Sequence, residues 1–303
     1  MKTNQKLLII VGPTASGKSA LGVRLARKFN GEVISADSRQ VYKGLDIGTG
    51  KITKREMKGV PHHLLDVSSP RKPFSANDFE RQASDAIAQI VDAGKLPIVV
   101  GGTGFYIDAL VGRVALPDVA PNKKLRARLA KKTISQLLSM LKKRDPRRAA
   151  MLSTPSERNN KVRLIRALEI ATALGKVPMM EIRSPSFDVL WVGATLQSKV
   201  LAQKIRTRLL ERMKRGMVAE AKRLHRVGLT YKRMHELGLE YRSLARLLQK
   251  KITREQFEKE LQSDIWRYAR KQLSYWKRNK EIKWFDPKAV AKIEKRVRGW
   301  LKK

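Results

Sequence analysis

Gly12-Pro13-Thr14-Ala15-Ser16-Gly17-Lys18-Ser19 is the stretch that decides the fold. It fits the pattern G-x-x-x-x-G-K-[ST], follows the apolar run 7–11, and opens a helix-forming segment from Ala20 to Phe29. Strand, glycine-rich turn and helix together make a phosphate-binding loop rather than a chance glycine cluster. Backbone N–H groups at the helix start can hold phosphate oxygens. Lys18 supplies a cation, and the Ser19 hydroxyl is placed to ligate Mg²⁺. The motif specifies a phosphate and leaves the reaction open.

Working outward, Glu32 to Asp37 reads as a second buried strand that ends in a carboxylate. Ligands of open α/β sheets sit at the C-terminal strand ends, which puts Asp37 near the mouth of the phosphate loop. A glycine-punctuated loop follows, 38–49, and Pro61 to Asp66 carries a short strand pattern. Ser75 starts a helix with a capping-box signature. Its apolar or small residues, Phe79, Ala83, Ala86, Ile87, Ile90 and Val91, recur at helical spacing, and Gly94 stops it. Pro97 to Gly102 is another buried strand, and Thr103 opens the next helix. This alternation is the signature of a mainly parallel sheet flanked by helices.

The alternation stops at Pro117. Short basic helices are expected at 123–132, 134–143 and 161–174, with Pro185 at the exit and a strand resuming at Asp188. The economical division is a core in two parts, 1–116 and 188–303, around a helical insertion at 117–187. The C-terminal part is expected to hold a continuous helix over 197–226, a helix from Met234 interrupted by Gly238, one from Glu255 to Lys280, and a last helix capped by Asp286-Pro287.

The chain has 303 residues, no cysteine and a formal net charge of +39. The missing cysteines exclude a disulfide framework and a Cys-based zinc site. No apolar run is long enough for a membrane span, so a soluble cytoplasmic protein with no membrane partner is expected. Residues 1–116 carry 17 basic and 10 acidic side chains, residues 117–187 carry 17 and 5, and residues 188–303 carry 32 and 12. The excess rests on the later segments, as it would if they met a large polyanion; a generally basic surface is the plain alternative.

Six stretches, in order, resemble the tRNA dimethylallyltransferase (tRNA isopentenyltransferase) family: GPTASGKS at 12–19, ISADSRQVYKGLDIGTGK at 34–51, PHHLLD at 61–66, VGGTGFY at 100–106, VRLIRALE at 162–169 and RYARKQLSYWKR at 267–278. They span nearly the whole chain. The resemblance implies an α/β, P-loop NTPase-like fold with an inserted all-helical domain that clamps tRNA and a helical C-terminal part. The implied reaction moves the dimethylallyl group of dimethylallyl diphosphate to the exocyclic amine of the adenosine on the 3′ side of the anticodon, with Mg²⁺ as cofactor. A monomer is expected.

Carried over residue by residue, the resemblance makes Gly12, Pro13, Thr14, Ala15, Ser16, Gly17, Lys18 and Ser19 the seat of the diphosphate. It makes Asp37, Thr103 and Arg208 catalytic: Arg208 contacts the diphosphate and Asp37 takes the amine proton. Asp37, Ser38, Arg39, Gln40, Thr103, Arg126, Val162, Arg163, Leu164, Ile165, Arg166, Gly238, Tyr241 and Arg242 match tRNA contacts. The family's compact G-Y-[KR] stretch is here Gly238-Leu239-Glu240-Tyr241-Arg242, two residues longer. The zinc finger of eukaryotic relatives is not expected. Each residue also has a plainer reading: Asp37 as a turn cap, Thr103 as a helix N-cap, the arginines as solvated helix faces. Trp266, Tyr275 and Trp276, which could stack bases, fit a helical core stripe better. His62 and His63, adjacent on a strand, point oppositely and read as structural. Two other functions fit a phosphate loop: a nucleotide or small-molecule kinase, and a non-catalytic RNA-binding NTPase or chaperone.

Overall fold

The computed structural model describes residues 5–114, 116–152, 154–178 and 187–303. Two compact units divide it: Met1–Gly112 with Ser184–Lys303, and Arg113–Arg183. The anticipated exit at Pro185 lies outside the described residues.

In the larger unit, β1 (Gln5–Val11), α1 (Lys18–Lys28), β2 (Gly31–Ala36), α2 (Lys54–Met57), β3 (His62–His63), α3 (Ala76–Asp92), β4 (Leu96–Gly101) and α4 (Gly104–Leu110) come first. Helices α5 (Lys123–Ala130), α6 (Ile134–Arg144), α7 (Pro146–Ala150), α8 (Pro155–Arg158) and α9 (Lys161–Leu174) form the second unit. The larger unit resumes with β5 (Phe187–Ala194), α10 (Ser198–Lys214), α11 (Met217–Arg226), α12 (Tyr231–Leu237), α13 (Leu239–Leu248), α14 (Arg254–Trp276), β6 (Lys283–Phe285) and α15 (Val290–Leu301).

The described strands form one parallel sheet in the order β3-β2-β4-β1-β5-β6. Parallel strands are covered on both faces, so they read as unbroken apolar runs. Along β1 the alternation is visible: Leu7, Ile9 and Val11 pack with α3, α4 and Trp276, whereas Leu8 and Ile10 pack with α1 and α15. Each such side chain contributes about 1.5–3 kcal/mol on burial. The C-terminal helices share another core, in which Phe257, Leu261 and Ile265 of α14 meet Val41, Tyr42 and Leu45. The smaller unit has its own, built on Leu125, Leu129, Leu137, Leu141, Leu164 and Leu168.

The structure departs from the sequence-based expectations at several points. The continuous helix over 197–226 is two helices. Gly216, at φ +96°, ends the first and opens the second, a conformation that strains any residue with a Cβ. Helix α14 stops at Trp276 rather than Lys280. Asp286-Pro287 does not start the last helix, whose N-cap is Ala289. Instead Asp286 folds a turn, accepting from Lys288 N at 2.8 Å, and Pro287 lies against Gly17 of the phosphate loop. The short helices α7 and α8 were not foreseen; each begins at a proline behind a side-chain cap.

Candidate active site

The site forms at the C-terminal ends of β1, β2 and β4. The loop after β1 makes its tight approach because residue 12 is glycine: a Cβ there would sit 2.2 Å from Ala194 O. Helix α1 then starts without a side-chain cap. The first N–H groups of a helix have no intrahelical partner. Here no side chain takes their place, unlike α3 or α14, whose N-termini are closed by capping boxes. Ser16 Oγ is buried in the loop with no partner among the described residues. Open donors and an orphaned hydroxyl fit a phosphate-bearing ligand.

Lys18 Nζ donates to Pro13 O at 3.2 Å and has no carboxylate in ion-pair contact among the described residues. Burial pulls its ammonium down to about 8, with the Asp37 charge opposing and the Arg208 charge adding to the fall. An anion in the loop would relieve that cost. Arg208, on α10, is exposed and lies over Gly50, where a Cβ would be 2.8 Å from its Nη2.

Asp37 stands directly after β2. Its Oδ1 accepts from Arg39 N at 2.9 Å and Gln40 N at 3.3 Å. The turn-capping reading is therefore observed, yet it occupies one oxygen only; Oδ2 has no protein donor among the described residues. Thr103 sits at the N-cap position of α4 but does not cap it. Its Oγ1 accepts from Ser38 N at 3.1 Å, tying the loop after β4 to the loop after β2.

Thr14, Lys18, Ser19, Asp37, Ser38, Arg39, Gln40, Arg208, Gly238 and Arg242 line one cavity of about 520 Å³. Its charged lining includes Lys18, Arg39, Arg208, Arg242, Arg267 and Lys271 against Asp37, Glu240 and Asp264, an excess that favours an anionic ligand. A second cavity of about 690 Å³, larger but without Asp37, meets the same Ser19, Gly50, Ile52 and Arg208 from the side of α1. We assign the chemistry to the first, because it joins Thr14, Lys18 and Ser19 of the phosphate loop to Asp37 at the end of β2.

Among the described residues no three His, Cys, Asp or Glu side chains converge as a metal cage. The exposed Ser19 hydroxyl is a single hard-oxygen donor. This donor set suits Mg²⁺ that arrives with phosphate oxygens and water, not an ion held by the protein alone.

Several residues expected at tRNA are buried or bonded within the protein. Tyr241 is 1% exposed, and its hydroxyl donates to Glu220 at 2.8 Å, so it is a core residue here. Leu164 is likewise 1% exposed, because helical spacing turns it inward with Leu168, and Ile165 packs beside them. On the same helix Val162 is 77% exposed, and Arg163 is open to solvent. Arg126 and Arg166 both close on Glu169, itself 1% exposed. Arg126 donates from Nε and Nη2 at 2.8 and 2.6 Å, Arg166 from Nη1 at 2.6 Å, and Asn122 N adds a fourth bond at 2.6 Å. Burial pushes this carboxyl up, but the hydrogen bonds outweigh it and hold it at about 2.

Trp276 is buried against Trp191, and Trp266 packs against the C-terminal core. His62 Nδ1 pairs with Val60 O and His63 Nε2 with Glu32, so the two rings do have separate partners.

Sequence reasoning missed Gln272. On α14 it accepts from Thr14 N at 2.8 Å and donates to Gly102 O at 3.1 Å. It thereby locks the phosphate loop to the loop after β4. A glutamine inside an apolar stripe was the available signal. Tyr268, one turn earlier, lines the cavity; burial and the Asp37 charge push its hydroxyl well above the usual tyrosine range, so it stays a donor.

The profile of the IPP transferase family matches residues 40–279. The chain is 38% identical to the tRNA dimethylallyltransferase of Carboxydothermus hydrogenoformans, over 97% of this chain and 96% of that one. It is 37% identical to that of Leuconostoc citreum, over 98% and 99%. Among solved structures it is similar to the full-length tRNA isopentenylpyrophosphate transferase of Bacillus halodurans, with a TM-score of 0.74, 35% identity and coverage of 98% and 97%. It is also similar to a eukaryotic dimethylallyltransferase captured acting on tRNA, with a TM-score of 0.78, 28% identity and coverage of 90% of this chain and 70% of that one.

Proposed function

The chain belongs to the IPP transferase family, and from that premise we propose that it transfers the dimethylallyl group of dimethylallyl diphosphate to the exocyclic amine of the adenosine on the 3′ side of the anticodon in tRNA, releasing diphosphate. Family membership displaces the kinase and the non-catalytic NTPase readings. The observation that carries the proposal is one cavity in which an uncapped phosphate loop faces Asp37, with Lys18, Arg208 and one Asp37 oxygen unpaired among the described residues.

The loop seats a leaving group. Breaking the allylic C–O bond leaves the electron pair on the diphosphate. The N–H groups at the start of α1, with Lys18 and Arg208, stabilise the charge that builds there. The Ser19 hydroxyl would hold Mg²⁺, and that ion would supply further neutralisation of the developing charge. The amine attacks the allylic carbon, and its lone pair is poorly available because it is delocalised into the ring. Asp37 Oδ2 accepts the proton as the new C–N bond forms, while Oδ1 stays fixed on its two N–H donors. Thr103 and Ser38 hold the two loops in register around the base, which must leave its stack to reach them. Arg39, Gln40, Gly238 and Arg242 line the cavity rim where the RNA enters. Val162, Arg163 and the outward edges of Arg126 and Arg166 offer the contacts of the helical unit.

The test is incubation with unmodified tRNA, Mg²⁺ and labelled dimethylallyl diphosphate, with labelled ATP in a parallel tube. Label entering tRNA only from the allyl donor is expected. Phosphate transfer from ATP, with no prenylated tRNA, overturns the proposal.

A further inference from the structure

Loop 45–51 forms a wall of the site, with Thr49 and Gly50 facing the cavity. It is held from behind by a carboxylate that never reaches the cavity. Glu220, on α11, is 5% exposed. Its Oε2 accepts from Asp46 N at 3.0 Å and Ile47 N at 2.7 Å; its Oε1 accepts from Gly48 N at 2.8 Å and from the Tyr241 hydroxyl at 2.8 Å. Four donors fill the acceptor capacity of one carboxylate. Three of them are consecutive backbone N–H groups, so the carboxylate dictates the path of that backbone.

The surroundings leave the turn little freedom. A Cβ on Gly48 would sit 2.7 Å from the Tyr241 hydroxyl oxygen. Arg212 Nη1 donates to Gly48 O at 2.7 Å and to Glu240 at 3.1 Å. Lys51 Nζ closes the far end on Tyr42 O, Asp46 and Asp66. Two residues past the clamped turn, Gly50 at φ +61° lies under the Arg208 guanidinium. Arg208 has no hydrogen-bond or ion-pair partner of its own among the described residues. What it rests on is the backbone that Glu220 sets.

We infer that Glu220, with Tyr241, is a positioning pair for the diphosphate half of the site: it fixes residues 46–50 as the surface on which Arg208 is aimed. This rests on the reading of Arg208 as a diphosphate contact. Neither member of the pair lines the cavity, so neither is a catalytic residue, and their effect on diphosphate is expected to pass through Arg208.

A double-mutant cycle tests this. Inorganic diphosphate affinity, donor kcat/KM and tRNA KM are measured for E220Q, Y241F, R208A and the two doubles with R208A. The amide of E220Q turns an N–H₂ toward donors. Its loss of diphosphate affinity and donor kcat/KM is expected on the order of tenfold, with tRNA KM unchanged. Y241F, which removes one donor of four, is expected to lose a few-fold. In the R208A background either substitution is expected to cost diphosphate affinity nothing further. Full additivity with R208A overturns the inference while leaving the site reading intact. Unchanged diphosphate binding in R208A alone overturns both. Should E220Q not fold, the Y241F cycle decides by the same criterion.

Discussion

The phosphate loop and the helical unit are both rich in cations, and they use them in opposite ways. In the helical unit Arg126 and Arg166 converge on buried Glu169 and leave its carboxyl at about 2. At the loop, Lys18 bonds a carbonyl and closes on no carboxylate among the described residues, and burial pulls its ammonium down to about 8. Paired cations hold a fold together. Unpaired cations, kept together at a cost, wait for a charge from outside. The net charge of +39 conceals this distinction, because it counts both kinds alike.

The contrast is broken most severely at Asp37. Asp37→Ala removes the proton acceptor and should lower transfer by about a thousandfold while tRNA still binds, as single-turnover rates and filter binding would show. Near-normal turnover would remove Asp37 from the chemistry. On the other side, Glu169→Gln should cost the helical unit about 1–3 kcal/mol, because the buried acceptor of four hydrogen bonds becomes a neutral amide while the two arginines keep part of their hydration. Hydrogen exchange within α5 and α9 would register the loss, and donor KM should not move. The carboxyl is held below its ordinary value of 4.5, so the stability it adds is present above about 4.5 and is lost as pH falls toward about 2. A Glu169→Gln protein with native stability and a slowed chemical step would erase the distinction between the two regions.

Much of this arrangement could be read from the chain. The phosphate loop, Asp37 at the end of β2, the parallel sheet and the helical insertion follow from periodicity and glycine placement, since local spacing dictates them. Partners distant in sequence were not legible. Nothing local marks Glu220, one acid in a basic helix, as the anchor of a loop 172 residues away. The expected helix over 197–226 ran through Gly216 and so obscured where α11 begins. Tyr241, in the stretch from Gly238 to Arg242, reads as an RNA contact from the sequence, whereas α13 turns it to its buried face. Gln272 was hidden by its apolar neighbours on α14. In each case the decisive partner comes from another element, and side-chain identity alone does not select it.

The smallest effect is also the most direct to read. If the loop is built to receive diphosphate, Lys18 must regain a proton when the anion binds, so affinity should weaken as pH rises through about 8. Calorimetry of inorganic diphosphate at about pH 8.5, in two buffers of different ionisation enthalpy, counts the protons exchanged. The native protein should take up a fraction of a proton more than Lys18→Met does. Equal proton exchange in the two proteins would contradict the reading of Lys18 as an unpaired cation awaiting the leaving group.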